Sequence, residues 1–112
     1  MQSGKITLAD VERLLPPEST AGRRYAEPFT HGTMRLGYYA PRQFDPQQPH
    51  AQDELYFVVR GRGTFVHGGE RTEFAPGDAL FVAAGIAHRF EDFTDDFAAW
   101  VVFWGPEGGE EP

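Results

Sequence analysis

The stretch 54–60 reads ELYFVVR and is followed at once by Gly61-Arg62-Gly63. Apolar residues occur at both parities of this stretch, which is typical of a strand that is covered on both faces. The glycines that follow mark its end, because glycine adopts the backbone angles of tight turns. The sequence therefore predicts a buried β-strand over 54–60.

Further strands are predicted at short intervals around this one. Gly68-Gly69 separates two short runs as a hairpin turn does, and Pro76-Gly77-Asp78 indicates another turn. The predicted strands are 31–40, 54–60, 64–67, 70–74, 79–82, 87–90 and 97–104. Strands at this spacing predict an all-β fold, either a sandwich or a barrel.

The rest of the chain is predicted to be short on regular structure. Thr7 and Asp10 have the spacing of a capping box for one short N-terminal helix, which Pro16-Pro17 ends. The 112 residues allow a single domain over 1–112, with its barrel core at about 25–104. The Gly-, Pro- and Glu-rich segment 105–112 is predicted to be a disordered tail.

Composition excludes several classes of protein. The chain has no cysteine, which excludes a disulfide scaffold, a cysteine zinc site and an iron–sulfur cluster. Its net charge of −7 argues against nucleic acid or an anionic membrane as a partner. No apolar run is long enough for a membrane span, and no secretory signal is recognisable. We therefore expect a cytoplasmic protein.

A histidine and a carboxylate flank the start of the strand 54–60. In an extended chain, the side chains of Gln48, His50, Gln52 and Glu54 point to one face. Imidazole and carboxylate together suit Zn, Fe, Mn, Ni or Cu, and His88 begins a distant strand that a barrel would bring near. The residues alone leave two interpretations open. One is a metal site, and the other is a solvated His50 with Glu54 guarding a strand edge.

Two spaced motifs resemble those of the cupin superfamily. Gln48-x-His50-x3-Glu54-x6-Gly61 is similar to His-x-His-x(3,4)-Glu-x6-Gly, and Gly77-x5-Ala83-x-Gly85-x2-His88 is similar to Gly-x5-Pro-x-Gly-x2-His. The resemblance spans about residues 33–104. The chain departs from the family pattern at Gln48, where the family has a histidine, and at Ala83, where it has a proline.

The resemblance implies a double-stranded β-helix, or jelly-roll barrel, with a metal centre. The implied ligands are His50, Glu54 and His88, with Gln48 as a weak fourth ligand or a hydrogen-bond donor to bound water. The metal would be a divalent transition ion (Zn, Fe, Mn or Ni), and a small polar ligand or substrate would bind in the barrel. The expected function is that of a metal-binding cupin, with oxygenase and isomerase as the activities to consider.

Two other functions remain open from the sequence. One is a non-catalytic module that senses a sugar or another small ligand. The other is a metal-free isomerase or epimerase, in which His50 or His88 is the base and Tyr56 the acid.

Four more residues are candidates for the pocket. Tyr56 and Phe90 share parity with Glu54 and His88, although core positions would suit them equally. Arg35 either binds a substrate carboxylate or forms a surface ion pair. Gln52 shares the face of Glu54.

Assembly is suggested by strands that are apolar on both faces. The stretches 54–60 and 97–104 have this character, and the N-terminal helix is too short to cover the outer face. We therefore expect a homodimer that buries Leu55, Phe57, Trp100 and Trp104.

Overall fold

A computed structural model describes residues 2–112. The elements in chain order are α1 (Leu8–Glu12), β1 (Tyr25–His31), β2 (Met34–Tyr39), β3 (Asp53–Arg60), β4 (Gly63–His67), β5 (Glu70–Phe74), β6 (Ala79–Val82), β7 (His88–Glu91) and β8 (Ala98–Trp104). The described strands form two antiparallel sheets, one in the order β1-β2-β8-β3-β6 and one in the order β5-β4-β7. This confirms the prediction of an all-β jelly-roll barrel with a short N-terminal helix.

The predicted strand 31–40 is in fact the second arm of a hairpin. β1 comes before it, and the two arms turn at Gly32, whose φ of 58° is a left-handed backbone angle. β1 is an edge strand with a register shift between Ala26 and Phe29, where Pro28 lies. Within sheets, proline is found at edge strands and bulges. Because Pro28 argues against a strand in the sequence, β1 was not predicted.

An aromatic core fills the space between the two sheets. Phe90 lies at its centre, with ring centroids of Phe65, Phe74 and Phe97 at 5.4, 5.4 and 4.7 Å. Tyr56 meets Phe90 edge-on at 5.0 Å. Phe90 is thus a core residue, which is one of the two positions that the sequence left open for it.

The N-terminal helix covers one end of the outer sheet face. Thr7 Oγ1 accepts a hydrogen bond from the Asp10 amide at 3.0 Å, and Asp10 Oδ2 accepts one from the Thr7 amide at 3.1 Å. These contacts form the predicted capping box. Val11 of the helix is fully buried against a small cluster that includes Tyr38 and Ala98.

The segment 105–112, for which the sequence predicts disorder, contacts the loop before β3 and the start of that strand. The amide of Gly108 donates to the Ala51 carbonyl at 2.8 Å, and the amide of Glu110 donates to Asp53 Oδ2 at 2.8 Å. Within residues 2–112, no helix has the length and apolar character needed to cross a membrane.

Candidate metal centre

Three side chains from different parts of the chain meet inside the barrel. Glu54 lies on β3, His88 begins β7, and His50 comes from the loop before β3. One ligand atom from each of the three lies within 4.8 Å of the others. His88 Nε2 is 2.6 Å from Glu54 Oε1, and His50 Nε2 is 3.6 Å from Glu54 Oε2. The fold therefore brings together the three residues that the motifs singled out.

The backbone around each residue fixes this arrangement. Glu54 pairs with Val82 on one side and Phe103 on the other, so its strand is held from both edges. His88 Nδ1 donates to the Ile86 carbonyl at 3.0 Å, which turns Nε2 toward Glu54. The amide of Gly85 donates to the His50 carbonyl at 2.8 Å and joins the two motif loops directly.

Glu54 is a buried carboxylate that faces the two imidazoles. Its side chain is 1% exposed, and its oxygens lie against the Nε2 atoms of His88 and His50. A buried charge is costly unless it is paired or coordinates a metal. The two imidazole nitrogens and this carboxylate therefore fit a divalent cation placed between them.

The two histidines differ in their readiness to bind an ion. Burial lowers the pKa of His50 and outweighs the opposing charge of Glu54, while the charges of His88 and Arg23 lower it a little further. Burial alone would also lower the pKa of His88, but its contact with Glu54, aided by the Ile86 carbonyl and the charge of Asp45, raises it. His50 is thus the more easily neutral of the two imidazoles.

The amide beside the group comes from Gln47 rather than Gln48. Gln47 Oε1 is 3.2 Å from the Nε2 atoms of both His50 and His88, and accepts from the Tyr56 hydroxyl at 2.8 Å. Gln48 is exposed, and no hydrogen bond between its side chain and the group is found within residues 2–112. β3 begins only at Asp53, so the alternation of side chains along a strand does not apply at Gln48. Pro46 and Pro49 flank the two glutamines and indicate a loop there.

Asp45 holds that amide in place. Its carboxylate accepts from Gln47 Nε2 at 2.7 Å, from the Gln47 backbone amide at 3.2 Å and from the Phe90 amide at 2.8 Å. The Tyr39 hydroxyl donates to it as well. Because Asp45 engages the Nε2 end, the oxygen of Gln47 must point at the histidines. Sequence reasoning missed both residues, since no motif or spacing marks them.

A cavity of about 420 Å³ opens beside His50 and Tyr56. Its other lining residues are mainly aromatic, proline and amide side chains: Arg23, Tyr25, Tyr39, Pro46, Gln47, Gln48, Pro49, Val101 and Phe103. Burial raises the pKa of Tyr56 well above its usual value, so its hydroxyl keeps its proton. Of the four predicted pocket residues, Tyr56 is in this lining.

Arg35 and Gln52 form a separate polar group near the cavity. The guanidinium carbon of Arg35 lies 4.4 Å from the ring centroid of Phe103, and Arg35 pairs with Glu27 at 3.0 Å. Arg35 Nε donates to Gln52 Oε1 at 3.1 Å, while Gln52 Nε2 donates to the Thr33 and Gly105 carbonyls. The charge of Arg35 is therefore already matched by Glu27.

Comparisons with known proteins agree with this geometry. The family model for the cupin domain matches residues 35–104. An uncharacterized protein of Streptomyces coelicolor is 46% identical over 76 residues, which are 66% of this chain and 72% of that protein.

Two solved structures share the fold at low identity. A candidate mannose-6-phosphate isomerase from Ralstonia eutropha superimposes with a TM-score of 0.71 at 21% identity, covering 93% of this chain and 99% of that one. The DMSP lyase DddQ from Ruegeria pomeroyi gives 0.64 at 23% identity, covering 74% of this chain and 47% of that one. The matched family model spans both motifs, the strands from β2 to β8 and the three converging side chains, and the chain therefore belongs to the cupin domain family.

Proposed function

We propose that this protein binds a divalent transition metal ion through His50, Glu54 and His88, and a small polar molecule in the adjacent cavity. The observation that carries the proposal is the buried Glu54 carboxylate, whose two oxygens face the Nε2 atoms of His88 and His50 at 2.6 and 3.6 Å. A divalent cation would satisfy all three side chains at once. Neutral imidazole and carboxylate are suitable ligands for Zn, Fe, Mn and Ni.

The separations between donor atoms support the same assignment. Neighbouring ligands that are each about 2.1 Å from one ion lie about 3.0–3.4 Å apart. His50 Nε2 is 3.6 Å from Glu54 Oε2, and Gln47 Oε1 is 3.2 Å from each imidazole. His88 and Glu54 would have to part by about 0.5 Å to admit the ion. We therefore propose Gln47, in place of Gln48, as the fourth donor.

The ion would supply Lewis acidity and open coordination positions when bound. A set of two histidines and one carboxylate is the arrangement of oxygen-activating iron centres, whereas an isomerase would use such an ion to polarise a carbonyl. Tyr56 keeps its proton, lines the cavity and donates to Gln47 Oε1, so it helps to orient that amide. Among His50, Glu54 and His88, His50 is the side chain that lines the cavity.

One observation favours a metal-free alternative. The Tyr56 hydroxyl lies 3.2 Å from His88 Nε2, which in turn lies 2.6 Å from Glu54 Oε1. This row of three side chains in contact can move a proton between an acid and a base. In an isomerase or epimerase without metal, His88 would serve as the base and Tyr56 as the acid.

Metal analysis separates the two candidates. Protein purified without chelator should contain about one transition ion per chain, and calorimetry with Zn should give the same stoichiometry in chelator-treated protein. Glu54→Gln, which keeps the shape and removes the charge, should weaken Zn binding by more than about 100-fold. Glu73→Gln, an exposed change on β5, is the matched control and should have no effect. Equal Zn affinity in wild type and Glu54→Gln would refute the metal centre.

We also propose that the protein forms a homodimer through the outer face of its five-stranded sheet. Phe57 and Phe81 are 43% and 55% exposed there, and Leu55 and Trp104 are partly exposed beside them. The N-terminal helix covers only the end of this face near Tyr38. Contiguous apolar surface of this kind is typical of an interface.

A further inference from the structure

Arg23 brings an unmatched positive charge to the cavity. It precedes β1, lines the cavity and places its guanidinium carbon 4.9 Å from the ring centroid of Tyr25. No carboxylate within residues 2–112 lies within ion-pair distance of it. Its neighbours differ, because Arg24 and Arg42 pair with Glu18. Arg23 is therefore free to pair with a ligand.

No carboxylate in the cavity lining neutralises the charge of Arg23. The cavity is lined by tyrosines, prolines, amides and apolar side chains, with no aspartate or glutamate among them. Arg23 and His50 line the same cavity, so the charge of Arg23 acts on a ligand bound there. The chain as a whole carries a net charge of −7, so a cationic cavity runs against the overall charge. An anion is the ligand that such a cavity selects.

The geometry of Arg23 and the aromatic lining favour a carboxylate over other anions. A guanidinium stacked on a tyrosine ring keeps its N–H edge free, and that edge matches a carboxylate in a two-pronged pair. The aromatic walls, including Tyr25, Tyr39 and Phe103, offer apolar surface to a carbon skeleton. A volume of about 420 Å³ suits a small molecule.

We propose that this cavity binds a small organic acid, whose carboxylate pairs with Arg23 and whose carbon skeleton lies against Tyr25 and Tyr39. This inference rests on the proposed function in taking the cavity beside the metal ligands as the binding site. It moves the anion contact that the sequence suggested for Arg35 to Arg23, because Arg35 is already paired with Glu27.

The test uses benzoate and succinate as probes, each beside its neutral amide. Binding is measured by calorimetry in chelator-treated protein, so that direct coordination of the carboxylate to a metal cannot contribute, and again in Zn-loaded protein. At least one carboxylate should bind in the millimolar range or better, and its amide at least tenfold more weakly. Arg23→Gln should weaken carboxylate binding at least tenfold and leave amide binding unchanged. Arg62→Gln, a change at an exposed arginine outside the cavity lining, is the control and should bind as wild type.

Two results would overturn the inference. One is the failure of both carboxylates to bind wild type at millimolar concentration, and the other is equal binding to wild type and Arg23→Gln. The same experiment tests the metal proposal independently. If carboxylates bind in an Arg23-dependent way but the protein takes up no Zn, the acid site is supported and the metal centre is refuted. Zn uptake without carboxylate binding would give the reverse conclusion.

Discussion

Gln47, the proposed fourth donor of the metal centre, lies outside the motif positions. Its amide nitrogen is held by Asp45 and its oxygen faces both histidines. The motif position Gln48 is exposed instead. The motif position is a glutamine, but the structure turns its neighbour Gln47 toward the histidines, because residues 46–52 are a loop that precedes β3.

A pair of alanine variants tests this assignment. We expect Gln47→Ala to weaken Zn binding about 10- to 100-fold, because the ion loses a donor that Asp45 orients in advance. Gln48→Ala should bind Zn as wild type does, since its side chain is exposed. Calorimetry at neutral pH measures both. The opposite order of effects would restore Gln48 as the donor.

The histidine pKa values give a second prediction at this scale. In metal-free protein, His88 should titrate above its usual value near 6.5 and His50 below it. Glu54→Gln should lower the pKa of His88, because burial is then opposed only by the Ile86 carbonyl and the charge of Asp45. NMR titration of the imidazole protons measures both shifts, and an unchanged His88 in the variant would contradict the role of Glu54.

The directions of the two histidine pKa shifts determine how the stability of the metal-free fold depends on pH. Protonated His88 stabilises the metal-free fold fully below pH 6.5, and this contribution is lost as pH rises through its raised pKa. His50 acts oppositely, since stability is lost as pH falls below 6.5 toward its lowered pKa. A metal ion must displace the proton of His88, whose pKa is raised. As pH is lowered, metal affinity should therefore begin to weaken before pH 6.5 is reached.

At the scale of elements, the strands that alternate or lie between clear turns were predictable. β5 and β6 have the predicted bounds, and β3, β4, β7 and β8 differ from the prediction by about one residue. β1 was not predictable because Pro28 and its bulge break the strand pattern. The three metal-ligand candidates follow from motif spacing, whereas Asp45 and Arg23 reach the site through tertiary structure that no local pattern encodes.

The capping box of the N-terminal helix gives a prediction for stability. Thr7→Ala should lower the free energy of unfolding by about 1 kcal/mol, because the Asp10 amide loses its acceptor. Ser19→Ala, at an exposed position after the helix, should change it by less than about 0.5 kcal/mol. Urea unfolding followed by circular dichroism measures the difference. Equal stability of the two variants would mean that the hydrogen bond to Thr7 contributes nothing measurable to the fold.

At the scale of the whole molecule, the proposed dimer depends on the exposed face of the five-stranded sheet. We expect a dimer that buries more than about 1,000 Å². The double variant Phe57→Glu, Phe81→Glu should be monomeric, because it places charge on the two most exposed aromatic side chains of that face. Leu14→Glu alters an equally exposed apolar residue near the helix and should remain dimeric. Analytical ultracentrifugation distinguishes these outcomes, and a wild-type monomer at high micromolar concentration would refute the dimer.

Asp53, the residue before Glu54, ties two distant segments together. One of its oxygens accepts from the Ala84 amide at 2.9 Å, in the loop that leads to His88, and the other accepts from the Glu110 amide at 2.8 Å. The segment near Glu110 thus braces a ligand-bearing loop without touching a ligand. A fused domain or a bound antibody that displaces residues 105–112 should speed the exchange of a bound ion while leaving its coordination unchanged. The residence time of the metal would then be adjustable from the outside of the molecule.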